Sequence, residues 1–210
     1  MGPAESALME LVRAIAARDA DKVSRMLRES PALAGASVER GATRREAATY
    51  HLDEINHYVY AGDTALHIAA AAYREDLVPT LLSIGADVSA KNRRGAQPLH
   101  YAADGSPRSA AWNPSAQAAV IAALIAAGAD PNATDKSGVA PLHRAVRTRC
   151  AAAVRALLDG GADPTLQNKS GSTPMDLATQ ATGRGGSGSP EAKAQQALIV
   201  QLLEEHGVTP

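Results

Sequence analysis

Apolar positions along the chain recur at long range. Ala69, Ala102, Ala145 and Ala178 return at one helical position, at intervals of 33, 43 and 33, and are small enough to let neighbouring helices lie close. A Leu-rich stretch follows the first three and stops at Gly85, Gly128 or Gly161, where a left-handed residue ends a helix. Thr64 and Thr173 are placed to N-cap the first helix of their stretches. Pro98, Pro141 and Pro174 suit its first turn, where no N–H is missed. The pattern therefore predicts successive helix pairs. Leu11, Ala14, Val23, Met26 and Leu27 precede Leu66, Ala69, Val78, Leu81 and Leu82 at one constant offset, with matching character. That adds a degenerate pair at the start, separated from the next by about 22 extra residues.

Two sets of motifs carry the same period. Gly62-Asp63-Thr64-Ala65-Leu66-His67, Gly95-Ala96-Gln97-Pro98-Leu99-His100, Gly138-Val139-Ala140-Pro141-Leu142-His143 and Gly171-Ser172-Thr173-Pro174-Met175-Asp176 return at the same three intervals. Gly85-Ala86-Asp87, Gly128-Ala129-Asp130 and Gly161-Ala162-Asp163 follow at 43 and 33, with the excess in the same interval. These motifs resemble the ankyrin-repeat family, whose 33-residue unit carries T-P-L-H-x-A. The resemblance implies a mainly α solenoid of helix pairs with short β-hairpin fingers, forming one domain over 1–210. Its units are expected at about 4–36, 62–92, 93–135, 136–168 and 169–207. Polar Glu5, Ser6 and Glu10 at one end, and Gln195, Gln196, Gln201, Glu204 and Glu205 at the other, are expected to cap the stack.

Three insertions interrupt the repeats, at about 37–61, 105–117 and 182–194. The first is polar from Ser37 to Arg45, then holds three of the five tyrosines between Tyr50 and Tyr60, and reads as an extended hairpin arm. The second contains the only Trp, Trp112. The third contains Gly183-Arg184-Gly185-Gly186-Ser187-Gly188, a surface insertion rather than a dinucleotide loop, since no strand precedes it. Insertions two and three fall at one place in their units and flank the same corner, with Arg147, Arg149 and Cys150 between them.

Composition narrows the functional classes. Alanine supplies 46 residues, while Leu, Ile, Val and Phe together supply 38 of 210. That share is low, yet a formal charge of −1 removes the repulsion that sustains disorder, so a fold built on small side chains is expected. The lone Cys150 excludes an intramolecular disulfide and a thiolate zinc site, and fits a reducing compartment. No run of about 18 apolar residues is present, and Glu10 and Arg13 stand where a secretory leader needs apolar residues. A cytoplasmic protein is expected. Arg outnumbers Lys 16 to 5, which fits a GC-rich bacterial genome.

Recurrent His67, His100 and His143 invite a catalytic reading, but the resemblance gives such histidines backbone hydrogen bonds between hairpins, and that role outweighs catalysis. Cys150 lies about 10 Å along a helix from His143, too far for a thiolate–imidazole pair, and is expected to be a buried thiol. His51, Asp53 and His57 would share a face on a regular strand, yet a half-buried polar arm outweighs a metal site. No paired carboxylates, nucleophile elbow or phosphate loop is present, so no enzyme, metal or cofactor is expected.

In the family the partner is held by hairpin tips and the exposed end of the inner helix. Carried over, the hairpin set is Tyr60, Asp63, Lys91, Arg93, Arg94, Lys136, Val139, Lys169 and Ser172. The inner-helix set is Ala71, Ala72, Asp104, Arg147, Thr148 and Gln180. Five bases against one acid on the fingers would steer an acidic protein surface, with no nucleic acid or membrane as partner. The expectation is a non-enzymatic interaction scaffold. Its alternative is a small anionic ligand held at the corner of insertions two and three by Arg147 and Arg149.

Overall fold

A computed structural model describes residues 2–105, 112–180 and 190–209. Among these described residues, five helices form an inner row: α1 (Pro3–Ala16), α3 (Ala65–Ala71), α5 (Pro98–Ala103), α7 (Pro141–Arg147) and α9 (Pro174–Thr179). Each touches the next in the row. Each is followed by an antiparallel-type partner on the outside: α2 (Ala20–Glu29), α4 (Leu77–Ser83), α6 (Pro114–Ala126), α8 (Ala151–Asp159) and α10 (Pro190–Glu205). Helices α4, α6, α8 and α10 stack in the same order. The solenoid of helix pairs is therefore as the repeat pattern implies.

Local chemistry explains the helix ends. Thr64 Oγ1 accepts the His67 N–H, and Thr173 Oγ1 accepts the Asp176 N–H at 3.1 Å, so both threonines cap as expected. Pro98, Pro141 and Pro174 open α5, α7 and α9. Gly85, Gly128 and Gly161 take positive φ after the outer helices, which only glycine adopts freely. Ala69, Ala102 and Ala145 are fully buried and Ala178 nearly so, where the inner helices meet. One further glycine is fixed by packing: a Cβ on Gly105 would run into the Cys150 sulfur.

The first insertion is not an extended arm. Its hairpin has only two-residue strands, β1 (His51–Leu52) and β2 (His57–Tyr58), with His51 opposite Tyr58 and Leu52 opposite His57. Single 3₁₀ turns at Ala48–Tyr50 and Asp53–Ile55 fold it back. Val38, Ala42, Tyr50, Leu52 and Val59 are buried, and that apolar load draws the segment onto the stack. His51 and His57 consequently lie on opposite faces, and Asp53 sits in the turn with its carboxylate 2.7 Å from His51 Nδ1. The three do not come together.

The ends are less polar than expected. Glu5 is only 4 % exposed, with Oε1 accepting the Arg40 N–H at 3.1 Å. Gln195 and Gln196 dock α10 instead of facing water: Gln195 Oε1 accepts the Ala151 N–H and Gln196 Nε2 donates to the Ala178 carbonyl. Gln201, Glu204 and Glu205 remain exposed. Helix also reaches into the expected insertions, since α6 begins at Pro114 and α10 at Pro190. Residues 106–111 and 181–189, with part of insertion two and most of insertion three, lie outside the described residues.

Candidate functional site

The fingers are tight turns joined edge to edge. Asn92 Oδ1 accepts the N–H groups of Arg94 and Ala96, Asp135 Oδ1 those of Ser137 and Val139, and Asn168 Oδ1 those of Ser170 and Ser172. An Asx side chain thus closes each of these turns. Backbone bonds then link turn to turn: Arg93 N–H to the Ala61 carbonyl at 2.7 Å, Lys136 N–H to Arg94 at 2.9 Å, and Lys169 N–H to Ser137 at 3.0 Å. Sequence reasoning missed the Asx positions. Their return at the intervals of the repeat itself was the available signal.

The repeated histidines brace this ladder. His67, His100 and His143 each accept at Nδ1 an N–H from Thr64, Gln97 or Ala140, at 3.2 Å. The ring proton therefore sits on Nε2, which donates to the carbonyl of Ala96, Val139 or Ser172 on the next finger. Burial pushes His67 and His100 down to about 4 and lowers His143, so these imidazoles stay neutral. Cys150 is buried as expected, and burial pushes its thiol up to about 11.

The predicted partner residues divide sharply. Lys91, Arg93, Arg94, Lys136 and Lys169 are exposed, and among the described residues none has a carboxylate within ion-pair distance. Tyr60 is half-buried, with the Arg93 and Arg94 guanidinium carbons 5.1 and 5.0 Å from its ring centroid. These cation–π contacts fix the two arginines at the finger edge. Val139 and Ser172 are half-buried and give their carbonyls to His100 and His143.

Asp63 is a correction. It is 0 % exposed and accepts from Tyr60 N–H at 2.6 Å, Asn92 Nδ2 at 2.8 Å and the Tyr101 hydroxyl at 3.0 Å. Burial raises its carboxyl to about 6 despite those donors. Such a group joins two fingers and cannot touch a partner. Without it, the exposed charges of the predicted finger set are all basic.

The inner-helix set is largely engaged as well. Asp104 binds Arg144 at 2.6 Å and lies 3.8 Å from Arg147, and Arg144 also reaches Asp135 at 3.0 Å. Burial works against the Arg144 charge, but Asp104 and Asp135 hold its pKa above the ordinary value. Arg144 escaped the sequence reading because its two carboxylates are 40 and 9 residues away. Thr148 donates to the Arg144 carbonyl and accepts the Gly105 N–H, and the Ala72 carbonyl accepts from Arg18. Gln180 is exposed. Over this face the Glu54–His57 turn of the insertion closes a cleft of about 520 Å³, walled also by Ala71, Tyr73, Tyr101 and Trp112.

An ankyrin repeat model matches residues 61–93 and 94–136, and a model of ankyrin repeats in many copies matches residues 124–178. Together they cover more than half of the chain. The chain belongs to the ankyrin-repeat family. The matched ankyrin span runs from Ala61, just ahead of α3, into α9, so α1, α2 and α10 lie outside it. No curated protein matches the chain. No helix among the described residues is long and apolar enough to cross a membrane. Of the two arginines expected at the corner of insertions two and three, Arg149 is buried and donates to Gln196 Oε1 and the Ala192 carbonyl, so it does not present its charge there, while Arg147 stays half-buried beside Asp104. Arg149 takes positive φ, and its side chain serves the docking of α10.

Proposed function

We propose that this ankyrin-repeat protein is a non-enzymatic, cytoplasmic interaction scaffold that recruits an acidic protein surface along its finger edge. The carrying observation is the row of five exposed cations, Lys91, Arg93, Arg94, Lys136 and Lys169, on turns whose backbones are bonded in sequence. Membership of a family of interaction modules supports the role. Like-signed charges without local counter-charges raise association rates for an oppositely charged partner. The helix pairs support five units forming a single domain, with the first insertion folded onto the second unit. A chain of formal charge −1 makes nucleic acid a poor partner.

The test uses a fluorescent decaglutamate peptide as the acidic probe. Reversing Arg94, Lys136 and Lys169 to Glu is expected to abolish binding that the parent shows at low salt. Reversing Arg25, Arg155 and Lys193, exposed on the outer helices, removes the same charge and should have little effect. Salt should weaken the parent complex, since screening acts over about 8 Å at physiological ionic strength. Equal losses in both triple variants, or tighter binding of duplex DNA than of the peptide, would overturn the reading.

A further inference from the structure

We propose that the end of the finger edge nearest the first insertion holds a phosphorylated side chain of the acidic partner, bound by Arg44, Arg45, Arg93 and Arg94. Such a site rests on the scaffold reading and gives it a chemical target. Cations change type along the edge. Lys136 and Lys169 stand on the two later fingers, whereas the turn closed by Asn92 carries Arg93 and Arg94 beside Lys91. All four arginines are exposed, and among the described residues none has a carboxylate within ion-pair distance.

The folded insertion brings one pair of arginines to the other. Gly41 forms a bridge with Tyr60, and the Ala42 N–H donates to the Val59 carbonyl at 2.7 Å. The Ala42 carbonyl in turn accepts from the Arg93 guanidinium. Thr43 Oγ1 then accepts the N–H groups of Arg45 and Glu46 at 3.3 and 3.2 Å, turning the chain directly after that contact. Arg44 and Arg45 therefore leave the backbone two and three residues beyond the carbonyl that holds Arg93. Tyr60 fixes the other pair, with the Arg93 and Arg94 guanidinium carbons 5.1 and 5.0 Å from its ring centroid. Like charges gathered without a counter-charge repel one another, and an anion beside them relieves that repulsion. Arginines already held in place lose less side-chain freedom when they bind.

A phosphomonoester suits this cluster better than a carboxylate does. It carries close to two charges and three strong acceptor oxygens, enough to engage more than one guanidinium fork. Lysine supplies charge without that planar fork, so the arginine end is the end that discriminates. The patch is also local. Glu39 and Glu46 are exposed on the same insertion and would repel a continuous array of phosphates, as on a membrane surface. A single phosphate on a protein segment avoids them.

The probes are fluorescent decaglutamate and the same peptide with one central glutamate replaced by phosphoserine. The parent should bind the phosphorylated peptide about fivefold more tightly at physiological salt. Phosphate also adds charge, so the first variant keeps the protein's charge constant. Arg44→Lys, Arg45→Lys and Arg93→Lys together should bind decaglutamate like the parent and lose the preference for phosphate. Arg44→Ala with Arg45→Ala, on an exposed turn, should lose most of it as well, which keeps the test decisive if Arg93→Lys disturbs its finger. Equal affinity of the parent for the two peptides, or a preference retained in both variants, would overturn the proposal. So would tighter binding to phosphatidylcholine vesicles carrying a phosphoinositide than to the phosphorylated peptide. Decaglutamate binding without a phosphate preference would leave the scaffold reading standing while this site fails, and binding of neither peptide would overturn both.

Discussion

His67, His100 and His143 carry the clearest consequence at the scale of single residues, because each bridges two fingers only as a neutral ring. With His57, they form a set whose folded pKa values lie below the unfolded value of about 6.5, three of them near 4. Above that unfolded pKa their stability contribution is fully present, and it is lost as pH falls towards 4, where the unfolded chain takes up protons the folded one refuses. Asp63 acts in the opposite sense. Its folded value of about 6 exceeds the unfolded one, so between about 6 and 4 the folded state gains a proton there first. Four imidazoles outweigh one carboxyl. Urea unfolding between pH 7 and pH 5 should therefore show stability falling by more than about 1.4 kcal/mol per pH unit, one net proton. A flat profile across that window would mean the bridging rings are not buried neutral.

At the scale of elements, α10 is held by buried Ile199, Leu202 and Leu203 and, towards its start, by polar side chains on a few residues. Gln195 satisfies the Ala151 N–H, Gln196 the Ala178 carbonyl, and Arg149 reaches both Gln196 and the Ala192 carbonyl. Replacing Gln195 and Gln196 with Ala leaves those backbone groups of α8 and α9 without partners, at about 1–3 kcal/mol each. The last helix of a repeat stack has one neighbour instead of two, so the loss should stay local. Hydrogen exchange should show protection lost across α10 while α3 to α7 keep theirs. Uniform loss along the chain would instead mean that the stack unfolds as one unit even at its end.

The whole molecule is a line of neighbour interfaces, and removing its start should matter. Deleting residues 2–36 takes away α1 and α2, including buried Leu8, Leu11, Val12 and Ile15, and uncovers the side of α3 that α1 packs against. It also removes Glu5, which holds the Arg40 N–H at the start of the folded insertion. The product should melt at lower temperature and self-associate, as seen by calorimetry and light scattering, because repeat stability sums over interfaces. A monomeric product with the parent melting curve would show that the first helix pair is not part of the stack.

The repeat itself was legible in the sequence because it rests on local chemistry. Caps at Thr64 and Thr173, prolines at the first turn, and glycines after the outer helices act within a few residues, so their spacing alone announced the helix pairs. The basic fingers were legible for the same reason, since a turn tip is exposed wherever the hairpin is repeated. Asp63 misled because it stands at a tip position yet turns inward, towards Asn92 and Tyr101, 29 and 38 residues away. Only the tertiary structure decided that Arg144 sits between Asp104 and Asp135, and that Arg149 docks α10. It also decided that the first insertion folds over the inner helices and encloses a cleft. Those outcomes depend on which distant groups can satisfy a buried charge or cover an apolar surface, and residues far apart in the chain are brought together only by packing.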